Sequence, residues 1–104
     1  MMADLVCTYY EALTISGTPV PLTAIRLTPA TGRFAGQMAK TVTIVLETAA
    51  VRYSFDKSTA PSDTVGVPLA IGDMLTLTDQ AFRDLTFHTV AADGTIHVHY
   101  FHEV

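Results

Sequence analysis

The chain has 104 residues, a length for one domain, of which 49% are hydrophobic and 15% charged. That balance excludes an intrinsically disordered chain and requires a buried core. Its net charge of −4, with six lysines and arginines scattered singly, excludes an electrostatic interface for nucleic acid or anionic membrane, which needs a basic face.

The apolar excess also predicts exposed apolar surface that a partner covers, so a homo-oligomer or a subunit of a larger assembly is expected. The four histidines lie outside the formal charge. Their protonation would cancel it and remove self-repulsion, so mild acid should promote association. A lone cysteine, Cys7, rules out an intrachain disulfide, and its strand context suggests a small packed apolar residue. Asp4 and the Thr8–Glu11 run interrupt any N-terminal apolar stretch, so no signal peptide is expected. No apolar run reaches membrane-spanning length, and synthesis in a reducing cytoplasm is the simplest reading.

Leu5–Ile15 opens the chain with strand periodicity: Leu5, Cys7, Tyr9, Leu13 and Ile15 share one parity, and Glu11 falls on it too. A bulge near Glu11, or an edge position, would release that carboxylate. Ser16–Pro21 holds two prolines and a glycine and reads as an irregular connection. Leu22–Thr28 predicts a second strand with Ile25 and Leu27 on one face, followed by a turn at Pro29–Gly32. Arg33–Lys40 has no clear period and reads as loop.

Thr41–Glu47 is the most regular strand, with Val42, Ile44 and Leu46 on one face. Thr48-Ala49-Ala50 is short enough for a tight reversal, so Val51–Phe55 is expected to pair antiparallel with it. The loop Asp56–Pro68 follows, then a turn at Ile71-Gly72-Asp73 and a strand at Met74–Thr78. Asp79–Arg83 predicts one helical turn capped by Asp79. Leu85–Val90 and Thr95–His102 flank Asp93-Gly94, a hairpin signal. Seven or eight short strands with almost no helix predict an all-β fold over residues 1–104: a single-domain antiparallel β-sandwich, jelly-roll-like, or a small barrel.

The chemistry-bearing residues form no catalytic pattern. Either register of the predicted hairpin places His88, His97 and His99 on one sheet face, where three imidazoles could ligate zinc. The plainer alternatives are the polar face of a hairpin whose buried face is Phe87, Ile96, Val98 and Tyr100, or a pH-responsive subunit contact. Asp56, Asp63, Asp73 and Asp79 sit at turns, where aspartate caps backbone N–H groups. A glycosidase reading needs two of these carboxyls across a cleft. Gly-x-Ser-x-Gly, the phosphate-loop ending and the calcium-loop pattern are absent from the sequence. The expectation is a non-enzymatic chain without a cofactor. Tyr10 and Phe101 are the rings expected at the surface, as subunit contacts or a sugar platform.

Leu27-Thr28-Pro29, Val42–Glu47, the run Val51-Arg52-Tyr53-Ser54-Phe55-Asp56, Ser58–Pro61, Thr64-Val65-Gly66, Leu69, Gly72-Asp73 and the closing Tyr100-Phe101 together resemble a group of small tailed-phage structural proteins. The resemblance spans Thr23–Val104. Its central motif reads Arg-Tyr-x-x-Asp-Gly-Thr-x-Pro-Thr; here Lys57 stands for the glycine and Ser62 for the last threonine. If position 57 needs a positive φ, lysine costs about 1 kcal/mol there. The resemblance implies an all-β virion component made in the host cytoplasm. A capsid decoration (cement) protein bridging major capsid subunits is the leading form, with a trimer expected by analogy; a head–tail or tail accessory protein is the next. A similar motif in β-sandwich modules of carbohydrate enzymes keeps a carbohydrate- or receptor-binding module as the alternative. Candidate partner contacts are Arg52 on the strand before the central loop, Asp56, Lys57, Pro61 and Asp63 in that loop, Tyr10 on the first strand and Phe34 in the Arg33–Lys40 segment.

Overall fold

Alternation of apolar and polar residues commits nearly half of this chain to strands with one buried face. The computed structural model describes residues 4–56, 58–78 and 82–104. Its elements are β1 (Leu5–Ile15), β2 (Val20–Pro21), α1 (Ala24–Leu27), β3 (Thr41–Glu47), β4 (Val51–Ser54), β5 (Val67–Leu69), β6 (Met74–Thr78), β7 (Thr86–Thr89) and β8 (Gly94–Glu103). They form two four-stranded antiparallel sheets, in the orders β1-β8-β3-β6 and β2-β7-β4-β5. The fold is a β-sandwich, as the strand spacing predicts.

The core lies between the sheets. Val42, Ile44 and Leu46 of β3 and Ile96, Val98 and Tyr100 of β8 face Val51 of β4, Leu69 of β5 and Phe87 of β7, and all are buried. Burying each such aliphatic or phenyl side chain stabilises the fold by roughly 1.5–3 kcal/mol. Leu22, Leu27, Phe82 and Leu85 close the ends of this core from the connections.

Both predicted strand reversals are instead crossings between the sheets. β3 pairs with β6 and β8, whereas β4 pairs with β5 and β7, so Thr48–Ala50 carries the chain from one sheet to the other. Residues 90–93 do the same between β7 and β8, so the expected Asp-Gly hairpin does not form. The two crossings meet. A Cβ on Gly94 would lie 2.7 Å from the Ala49 carbonyl oxygen and 2.9 Å from Val51 Cγ1. The glycine is thus required by close packing and not by a left-handed turn. Apolar alternation is satisfied equally by two strands side by side and by two strands facing across a core, so the local pattern could not separate these outcomes.

Other expectations are corrected locally. Leu22–Thr28 is not a strand: Pro21 and Pro29 bracket one helical turn, α1, in which Leu27 is buried and Ile25 is 64% exposed. The bulge in β1 falls between Cys7 and Tyr9, not at Glu11. Cys7 is consequently exposed and not packed, while Tyr9, Glu11, Leu13 and Ile15 keep inward parity. The central loop is shorter than Asp56–Pro68, because β5 pairs Val67 and Pro68 with Tyr53 and Arg52. Pro21 and Pro68 both lie in edge strands, where a missing N–H is tolerated. Arg33–Lys40 holds no regular element. Phe82–Asp84 form a turn, and the Asp79 cap lies outside the described residues.

Candidate functional site

The loop between β4 and β5 is built from its own turn residues outward. The Asp56 carboxylate accepts hydrogen bonds from the Ser58 backbone N–H (2.9 Å) and hydroxyl (2.8 Å), which hold its carboxyl below its ordinary range. Ser62 Oγ accepts from the N–H groups of Val65 (3.0 Å) and Thr64 (3.2 Å). Arg52 then ties the loop to the sheet. Its Nε donates to the Asp63 carbonyl (3.2 Å) and its Nη1 to the Gly66 carbonyl (2.8 Å). Gly66 has φ of 116°, and a Cβ there would lie 2.9 Å from the Tyr53 carbonyl. Each bond from a charged donor is worth about 1.5–3 kcal/mol where water is excluded, and less at this partly exposed site.

Four of the seven candidate contacts lie in this loop and a fifth, Arg52, reaches it from β4; they divide. Arg52 and the buried Pro61 shape it from within; Asp56 and Asp63 are exposed on it. Lys57 lies outside the described residues. Tyr10 is on the far sheet and is 52% exposed. Phe34 is half-buried; its ring lies 5.1 Å from the His102 ring between centroids, tilted, and the Arg33 guanidinium lies 5.3 Å from its centre.

The three histidines predicted to share a face are separated. His97 and His99 lie on the outer face of the first sheet, and His88 lies on the second sheet opposite Arg52. Among the described residues no group of three or more His, Cys, Asp and Glu is placed to hold a metal. His97 Nε2 is 2.9 Å from Glu47 Oε1 and its Nδ1 is 2.5 Å from the Tyr10 hydroxyl. The carboxylate only accepts, so Nε2 is the donor to Glu47. Tyr10 is stacked along His97 and tilted onto His99, with centroids 5.0 Å apart for the second pair. The outer face so formed continues through Ala12, Thr43, Val45, Met74 and Thr76, and Glu47 lies at its rim.

His88 bridges two carbonyls: Nδ1 is 2.6 Å from Thr89 O and Nε2 is 3.0 Å from Gly17 O. His88 therefore links β7 to the β1–β2 connection.

A buried and a half-buried polar group escape a motif search. His102 is fully buried, with Nε2 3.1 Å from Leu27 O and Nδ1 2.7 Å from Thr8 Oγ1. Glu11 accepts from the Tyr100 hydroxyl and from Thr23 Oγ1 at 2.8 Å. Burial, then the Glu11 hydrogen bond and charge, push the Tyr100 phenol far above its ordinary range. Parity was the available signal: His102 shares it with Ile96, Val98 and Tyr100, and Glu11 shares it with Leu13 and Ile15. These groups brace α1 and β1 against β8.

One open cleft of about 210 Å³ lies between Pro19, Pro21, Asp56, Ala60, Arg83, Asp84, Leu85 and Thr86. It is smaller than the roughly 300–1,000 Å³ of most small-molecule sites. No match to the chain is found among protein-family models, curated proteins or solved structures.

Proposed function

We propose that this chain is a non-enzymatic structural subunit of a tailed-phage virion, and specifically a decoration (cement) protein that bridges neighbouring capsid subunits. The observation that carries the reading is the Arg52 clamp. The motif residues that resemble the phage group are the ones that set the loop: Arg52 grips the carbonyls of Asp63 and Gly66, Asp56 caps Ser58, and Pro61 is buried beneath. A loop held in one shape before contact loses little conformational entropy on docking. A standard contact buries about 1,600 Å² in total, and a shell that offers many equivalent contacts multiplies their effect.

The test is mass spectrometry and cryo-electron microscopy of the parent particle. The chain is expected on the outer capsid, and Arg52→Ala should reduce its retention there. A location at the neck or tail would make it an accessory protein, and absence from purified virions would sink the reading.

Carbohydrate or receptor binding is the second reading, favoured by the exposed Tyr10 ring braced by His97 and His99. Glycan-array binding lost on Tyr10→Ala would support it; no binding to any glycan would count against it.

A further inference from the structure

The four strands of the first sheet contain no lysine, arginine or aspartate. Of their three glutamates, Glu11 is turned inward to Tyr100 and Thr23, Glu47 is bonded to His97, and Glu103 ends β8. Lys40 and Asp73 stand just beyond the ends of β3 and β6. The middle of the outer face therefore holds hydroxyl, phenol and imidazole groups in place of charged ones.

One row of these groups crosses all four strands. Tyr10 is in register with His99, His99 with Thr43, and Thr43 with Thr76. At the spacing of paired strands the row is about 14 Å long, which is more than one sugar ring. At one end the Tyr10 ring is 52% exposed and fixed in place. Its hydroxyl is 2.5 Å from His97 Nδ1, the Nε2 of that imidazole is held by Glu47, and the ring is stacked along His97 and tilted onto His99. Along the rest of the row, the side chains of His99, Thr43 and Thr76 make no hydrogen bond with any described residue. Val45 and Met74 in the adjoining row add apolar contact area. A fixed aromatic ring beside open donors and acceptors is suited to a sugar: the C–H face of a pyranose packs on the ring, and its hydroxyls bond the polar groups.

We propose that this row binds an uncharged oligosaccharide, with one sugar unit on Tyr10 and the next reaching along His99, Thr43 and Thr76. The inference deepens the carbohydrate reading above and rests on it. Charge selects the class. A sialylated, uronic or sulfated sugar would bring its anion to a face without lysine or arginine, on a chain of net charge −4. That anion would lose water without gaining a partner. A second protein chain fits the row less well, because the centre of a protein interface is apolar and this row is polar. The face lies on the sheet opposite the Arg52 loop, so a subunit seated through that loop leaves the row open to a sugar.

The test is an array of uncharged, sialylated, uronic and sulfated glycans probed with the intact chain in neutral buffer, followed by an amide NMR titration with the strongest ligand. Uncharged glycans should bind and the acidic ones should not. The amide shifts should fall in β1, β8, β3 and β6 and spare the loop between β4 and β5. Tyr10→Ala should weaken binding by about tenfold or more, and Thr43→Val or Thr76→Val, which keep the shape and lose the hydroxyl, by about two- to tenfold each. Circular dichroism checks the folding of each variant. Should Tyr10→Ala fail to fold, the wild-type shift map and the two valine variants decide. Acidic glycans bound through Tyr10 would overturn the uncharged class and leave the carbohydrate reading standing. Uncharged glycans that map to another surface, or that ignore the substitutions, would overturn the site and leave carbohydrate binding itself standing. No binding to any glycan would overturn both. Shifts on this face that follow protein concentration in place of added glycan would assign it to a second copy and overturn the proposal.

Discussion

Tyr100 sits fully buried on β8 and gives its hydroxyl proton to Glu11. Tyr100→Phe leaves that carboxylate with Thr23 as its side-chain donor, and should destabilise the fold by about 1–3 kcal/mol in a denaturant titration. The sign of its pH dependence follows from the raised folded pKa. Below the unfolded value near 10 both states hold the proton and the full stabilisation is present. Above it the unfolded chain releases the proton and the native state does not, so stability falls as pH rises. Wild type should lose stability above that value more steeply than Tyr100→Phe. Gly94 gives a second prediction at this scale. A methyl there meets Ala49 O and Val51 at under 3 Å, so Gly94→Ala should cost about 1–3 kcal/mol by overpacking, read as a lowered melting temperature. The sequence marked Gly94 as a turn residue, but its role comes from a crossing 45 positions away in the chain.

At the scale of elements, the loop between β4 and β5 is a unit whose shape depends on one side chain from the sheet. Arg52→Ala removes two hydrogen bonds to loop carbonyls and leaves the sandwich core untouched. The expected result is faster proteolytic cleavage within 58–66 and a small change in global stability, about 1 kcal/mol. Loss of cooperative unfolding would show instead that the loop is part of the core. Strands β1, β3, β4, β6, β7 and β8 were legible because their alternation runs over four or more residues. α1 was not, because Ile25 and Leu27 two apart fit a strand as well as four residues can, and only the flanking prolines and the burial of Leu27 select the helical turn. The candidate loop was legible as a turn-rich stretch; which of its residues build it and which face outward was not, since Arg52 and Pro61 look as polar or loop-like as Asp56 and Asp63 until their partners are known.

For the whole molecule, β8 is the strand with most to hold. It pairs with β1 on one side and β3 on the other, joining the two ends of the chain. Native-state hydrogen exchange should find the slowest amides in β8 and β3, and faster ones in β2 and β5 at the edges of the second sheet; slowest exchange in β7 and β4 would contradict this. With pairing this non-local, folding in milliseconds to seconds is expected. What the sequence by itself determined is the local part: which residues alternate, hence which faces are buried, and that the total is a small all-β domain. What only the tertiary structure decided is the partnering. The short links at Thr48–Ala50 and at residues 90–93 cross between sheets, and the histidines that the second was expected to gather lie on opposite outer faces. The reason is that side-chain period is a property of one strand, whereas pairing is a choice among all the strands that can present the same period.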